Sequence, residues 1–105
     1  MISLLTEIVI VESDLLPELI EEIMIHLRSG VIILGTQADG RCQLMIKISS
    51  DLTQKGILAG QLIKEIAPEI EGSGGGKAES AQAGGKKPEG LHQAFDKARQ
   101  WLATK

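Results

Sequence analysis

Two glycine-lysine runs hold the residues best suited to chemistry: Gly74-Gly75-Gly76-Lys77 and, a few positions on, Ala81-Gln82-Ala83-Gly84-Gly85-Lys86-Lys87. Glycine leaves backbone N–H groups unobstructed, and several in succession can form an anion-binding concavity. Lys77, Lys86 and Lys87 would add positive charge at its rim, and Gln82 offers both a donor and an acceptor beside the glycines. The chemistry implied is a non-covalent grip on phosphate or a polyanion. The plain alternative is a flexible surface loop with solvated lysines. Alanines alternating with polar residues in AESAQAGG favour an ordered, close-packed segment.

Nucleotide-binding motifs are not met. A phosphate-cradling loop needs G-x-x-x-x-G-K-[ST]. Glu71 stands where Gly76-Lys77 would need its upstream glycine, Ala78 replaces the hydroxyl residue, and Gly85-Lys86 fails likewise. The dinucleotide pattern G-x-G-x-x-G begun by Gly72 and Gly74 would need glycine at Lys77. His26 and His92 are isolated on predicted helices, with no carboxylate, cysteine or serine arranged for metal binding or nucleophilic catalysis. Cys42, the only cysteine, excludes an internal disulfide and reads as a small packed or edge thiol. No catalytic apparatus and no cofactor site are expected in this chain.

Composition limits the partners. One Phe, one Trp and no Tyr remove the stacking platform on which most single-strand binders lay bases. A net charge of −3 argues against strong autonomous binding to a polyanion, yet the charge is unevenly spread. Residues 1–71 hold five Lys/Arg against eleven Asp/Glu, whereas residues 72–105 hold six against three. The basic part begins at the glycines. MISLLTEIVIV lacks the basic start and cleavage site of a signal peptide, and no apolar run approaches the roughly 20 residues of a membrane span. The expectation is a cytoplasmic chain with no membrane partner.

Single-domain packing is expected for residues 1–105, and the elements that must position the glycines follow from hydrophobic periodicity. Glu7–Val11 is a β-branched apolar run typical of a buried strand. Asp14 is placed to cap a helix that tolerates Pro17 in its first turn, carries Leu15, Leu16, Leu19, Ile20, Ile23 and Leu27 at helical spacing, and closes at Arg28 and Gly30. Its other face, Glu18, Glu21, Glu22 and His26, should be wet. Two strand-like runs within Val31–Ser49 flank Ala38-Asp39-Gly40-Arg41, and Asp-Gly predicts a tight hairpin. Strand, helix, strand implies a right-handed crossover, so the first two strands should run parallel.

A second helix is expected over Ile57–Ala67, with Gly56, Ala59 and Gly60 leaving room for a close backbone neighbour and Pro68 ending it. Pro88 can open a third, striped by Leu91, Ala94, Phe95, Ala98 and Leu102 with Trp101 at the edge. The fold class is α/β: a mixed β-sheet in β-α-β-β-α-(glycine loop, short β)-α order with helices packed on it. The short extra strand falls at Ser80–Ala83.

These residues resemble a known family. Lys47–Ala98 is similar to the C-terminal globular domain of alanyl-tRNA synthetases, a member of the DHH-associated substrate-binding domains. The matching motifs are Lys55-Gly56, Ala59-Gly60, Gly74-Gly75-Gly76-Lys77 and Ala81-Gln82-Ala83-Gly84-Gly85-Lys86. The Val31–Ile48 hairpin also resembles the family's, and the first 30 residues match in pattern only. The resemblance implies a non-catalytic module that meets the outer corner, or elbow, of tRNA(Ala). It also implies the remaining synthetase domains as partners; ATP, magnesium and zinc would belong to the full enzyme, which this module would support in aminoacylation and editing. Nucleic-acid contact would then fall to Gly74, Gly75, Gly76, Lys77, Gln82, Gly84, Gly85, Lys86 and Lys87.

Departures bear on that implication. The family often has Arg where Lys77 stands, which exchanges a bidentate phosphate contact for a point charge. It often has Asp where Lys87 precedes Pro88, so a helix cap gives way to a positive charge. Related phosphoesterases and exonucleases carry His after the glycines, and Lys77 stands there instead. Two rival readings follow. One is a protein-interaction or scaffolding module with little RNA affinity, in which the glycines serve packing alone. The other is the single-strand-binding half of a DHH-type phosphoesterase.

Overall fold

Five strands form one mixed sheet in the order β1-β2-β3-β5-β4 in the computed structural model, which describes residues 2–105. β1 (Leu4–Ile8) lies parallel to β2 (Val31–Ala38), joined by helix α1 (Leu16–Leu27) as the crossover rule predicts. β2 and β3 (Arg41–Ile48) form the expected hairpin, with Ala38 opposite Arg41. Asp39 (φ 55°) and Gly40 (φ 74°) both take the left-handed conformation that a two-residue turn of matching twist requires.

The predicted first strand is displaced. Pairing with β2 begins at Leu4 opposite Val31, so the strand occupies Leu4–Ile8 and not Glu7–Val11. Val9 still donates its N–H to Gly35 O at 2.8 Å, but Val9 and Val11 then pack beneath α1. Asp14 does not cap α1. It lies within a 3-10 turn, Ser13–Leu15, that leads into the helix, and no side-chain cap forms.

The second helix is also reshaped. A short helix α2 (Ser50–Thr53) precedes extended Leu58, and α3 occupies Ala59–Ile66. Pro68 sits inside a 3-10 turn, Ala67–Ile70, that continues from α3. Pro88 opens another, Pro88–Gly90, before helix α4 (Leu91–Ala103).

Alternation along β3 explains the layers. Cys42, Leu44, Ile46 and Ile48 are buried on one face, where Leu62, Ile63 and Ile66 of α3 and the whole predicted stripe of α4 close over them. The opposite face is covered only in part: Leu16 and Ile20 of α1 bury Ile32 and Leu34, with Met45 at the margin. Glu18, Glu21, Glu22 and His26 lie on the exposed side of α1 as predicted. Beyond Met45 no helix among the described residues packs on this face of the sheet, and the glycine passage extends it.

That passage is not a loop. Gly72–Gly76 is β4, an edge strand antiparallel to β5, and β5 runs over Ser80–Gly85, two residues beyond the predicted extra strand. Glycine has little intrinsic preference for strands, so pairing with β5 imposes the extended state.

A candidate nucleic-acid interface on the glycine ribbon

The β4–β5 ribbon pairs Gly72 with Gly85, Ser73 with Gly84, Gly74 with Ala83, Gly75 with Gln82 and Gly76 with Ala81. Lys77 donates its N–H to Ser80 O at 2.8 Å and closes the ribbon. Antiparallel ladders alternate, so Ser73, Gly75 and Lys77 turn their amides toward β5, while Gly72, Gly74 and Gly76 turn theirs to the open edge.

Packing explains some of these glycines and not others. A Cβ on Gly72, Gly74 or Gly76 would run into the β5 backbone at Gly84 O, Gln82 O and Ser80 O respectively. One on Gly85, which is buried, would strike Ile70. Gly75 is different: nothing lies within 4 Å of an added Cβ. At Gly84 the nearest atoms, Cys42 O and Gln43 Nε2, are 3.9 Å away, an ordinary contact. Gly75 and Gly84 stand on the uncovered face, where Gln82 lies opposite Met45 and Gly84 opposite Gln43. They are the two ribbon glycines that the fold does not need.

The turn after β4 is docked on α3. Ala59 N–H donates to Ala78 O (2.9 Å), Gly60 N–H to Lys77 O (3.0 Å), and Ile48 N–H to Glu79 O (2.8 Å). The first amides of α3 are thus capped by main-chain carbonyls. Gly60 permits this approach, because a Cβ there would stand 3.0 Å from Gly76 O. Gly56, expected to serve the same purpose, has open space around it and a φ of +89°, so its conformation and not a neighbour asks for glycine.

The lysines do not share one rim. Lys77 is exposed at the turn end of the ribbon, while Lys86 (exposed) and Lys87 (half-buried) leave its other end, where both amides donate to Ile70 O at 3.0 Å. The length of β5 separates the two groups by on the order of 20 Å. Gly74, Gly75, Gly76, Gln82 and Gly84 are exposed between them. The arrangement is a flat track with charge at each end, and it can follow a chain of phosphates better than it can surround one.

Tertiary packing adds residues absent from the sequence-based set. Gln61 and Lys64 of α3 stand beside Gly76 and Lys77 around a depression of about 270 Å³. A second, of about 230 Å³, lies on the open face among Met45, Gly75, Lys77 and Gln82. The i, i+3 spacing of Gln61 and Lys64 put them on one helix surface, but nothing local placed that surface next to Lys77. Lys47, at the border with α1, is held by Glu21 at 2.8 Å.

His92 packs edge-on against Phe95, with ring centroids 6.2 Å apart, and His26 is exposed. No group of three or more His, Cys, Asp or Glu among the described residues could hold a metal ion. No helix among them is long and apolar enough to cross a membrane. Cys42 is buried, and burial pushes its thiol above the ordinary 9.0; the Lys87 backbone hydrogen bond opposes this, Glu89 adds to it, and the Gly85 backbone opposes it. Native protein should therefore react with iodoacetamide at neutral pH more slowly than denatured protein, since the thiolate is the nucleophile and the native thiol is buried. Equal rates would show that the thiol is not shielded.

The fold is thus that of an α/β domain whose mixed sheet ends in a side-chain-poor edge ribbon. The model of the DHHA1 domain matches residues 2–104. The chain belongs to the DHHA1 domain family. An alanine–tRNA ligase of Ligilactobacillus salivarius is 52% identical over 75 residues, 70% of this chain and 8% of the ligase. The ligase of Pelotomaculum thermopropionicum is 42% identical over 86 residues, covering 82% of this chain and 10% of its own. The ligase of Myxococcus xanthus is 38% identical over 94 residues, 90% and 10% respectively. The crystal structure of the C-Ala domain from Aquifex aeolicus alanyl-tRNA synthetase superposes with a TM-score of 0.83 at 25% identity, covering 90% of this chain and 86% of that one. The chain spans about a tenth or less of the length of those ligases.

Proposed function

We propose that this domain is the non-catalytic tRNA-binding module of an alanine–tRNA ligase, meeting the elbow of tRNA(Ala) with its glycine ribbon. The observation that carries the reading is the pair Gly75 and Gly84: both lie on the open face of the ribbon, and neither is required by internal packing. A surface kept free of side chains where the fold would accept them is suited to close approach by a ligand backbone. Lys77 at one end and Lys86 and Lys87 at the other suit a polyanion. The likeness to the C-Ala domain and to alanine–tRNA ligases supports tRNA and the ligase's remaining domains as partners. In this reading the protein works in the cytoplasm, and ATP, magnesium and zinc serve the remainder of the ligase while this domain supports aminoacylation and editing. With one Phe, one Trp and no Tyr to stack on bases, contact falls on the backbone, so shape and phosphate are read and not base sequence.

The test is tRNA binding by the isolated domain as a function of salt. Two to three neutralised phosphates predict log affinity falling against log salt with a slope of about −1.5 to −2.5. Unlabelled tRNA with a disrupted elbow should compete poorly. A salt-independent affinity would sink the reading, and equal competition by single-stranded DNA would favour the phosphoesterase-like one.

A further inference from the structure

We infer that the nucleic-acid footprint does not stop at the ribbon but turns over its edge at Lys77 into the depression beside α3, where Lys64 and Gln61 form a second phosphate-binding subsite. The inference rests on the proposed tRNA reading and extends it to residues outside the glycine motif.

Four observations carry it. Lys77 lines both depressions, the one on the open face and the one against α3, so it stands on the ridge between them. The edge at that ridge is Gly76, whose amide turns outward and which bears no side chain to obstruct a chain crossing it. Lys64 approaches the same ridge from α3, and no acidic residue lines the α3 depression. Among the described residues neither Lys64 nor Lys77 forms an ion pair, whereas Lys47 and Lys97 are engaged by Glu21 and Glu69. A hollow lined by two such lysines and by no carboxylate favours an anion. Gln61 supplies an amide that can donate to a phosphate oxygen or meet a ribose hydroxyl. The amide dipoles at the start of α3 are not part of the site, because Lys77 O and Ala78 O already accept from Gly60 and Ala59.

Lys64 is exposed on a helix surface, so its replacement leaves the fold in place. The experiment compares tRNA binding across a salt series for the unmodified domain, Lys64→Ala, Lys64→Arg and Lys55→Ala. Lys55 lines a separate hollow with Ser29 and Asp51 and controls for the loss of one positive charge. Lys64→Ala should weaken binding several-fold and make the salt slope shallower by about 1, while Lys64→Arg restores the slope and Lys55→Ala leaves it unchanged. Loss of slope in Lys55→Ala equal to that in Lys64→Ala would reduce the effect to net charge and overturn the subsite. So would an unchanged slope in Lys64→Ala while the unmodified domain still binds. Failure of the unmodified domain to bind tRNA overturns the functional reading itself, and the subsite with it.

Discussion

Gly74→Ala breaks the ribbon, while Gly75→Ala, one residue away, leaves the fold intact and weakens tRNA binding. The first result follows from the ladder. A Cβ on Gly74 would collide with Gln82 O and with the backbone and methyl of Ala83, which cannot swing aside as the end of a long side chain could. Overpacking against a rigid neighbour costs about 3 kcal/mol or more. In a domain of this size that lowers the melting temperature by on the order of 10–20 °C, or detaches β4 altogether. The second result follows from empty space. No atom lies within 4 Å of a Cβ on Gly75, so stability should stay within about 0.5 kcal/mol. Ser73, on the same face of β4, already shows that a side chain is accepted there. The added methyl does, however, stand on the surface offered to the tRNA backbone, and a loss of about 1.4 kcal/mol would appear as tenfold weaker affinity. Thermal melts and a tRNA titration on the two variants separate packing from binding. Unchanged affinity in a well-folded Gly75→Ala protein would move the site off the open face, in favour of the scaffolding reading.

Removing charge from both ends of the ribbon at once should abolish most of the salt dependence. In Lys77→Ala/Lys86→Ala the fold is unaffected, because both side chains are exposed and the hydrogen bonds that tie these residues in place are main-chain: Lys77 N–H to Ser80 O, and Lys86 N–H to Ile70 O. Each lost phosphate contact makes the slope of log affinity against log salt shallower by about 1. A total slope near −2.5 would then fall to about −1, the share that Lys64 still carries. Because the two lysines are separated by the length of β5, their effects should add, with each single variant losing about half. A double variant that loses no more than either single one would place both lysines on one phosphate, which the observed separation does not allow.

The linear sequence determined those parts of the molecule whose information is local. The strand-like runs within Val31–Ser49 marked two strands, and Asp39-Gly40 specified the hairpin through its need for positive φ. The stripe from Leu91 to Leu102 specified the face that α4 buries. In each case side-chain pattern acts within a turn or a neighbouring strand. The motif residues from Gly74 to Lys86 were equally legible, because a family resemblance is itself read residue by residue.

Tertiary structure decided what the glycines are. A run without side chains has no hydrophobic period, so nothing local distinguishes loop from strand, and pairing with β5 settles it. The same pairing separates Gly72, Gly74 and Gly76, which the β5 backbone requires, from Gly75, which it does not; in the sequence the four are the same letter. It also places Lys77 and Lys86 at opposite ends of a track, where their spacing in the chain had suggested one rim. Lys64 joins Lys77 only because the turn at residues 77–79 docks on the start of α3 through main-chain hydrogen bonds. Such bonds carry no side-chain identity, so the contact that completes the candidate site leaves almost no trace in the sequence.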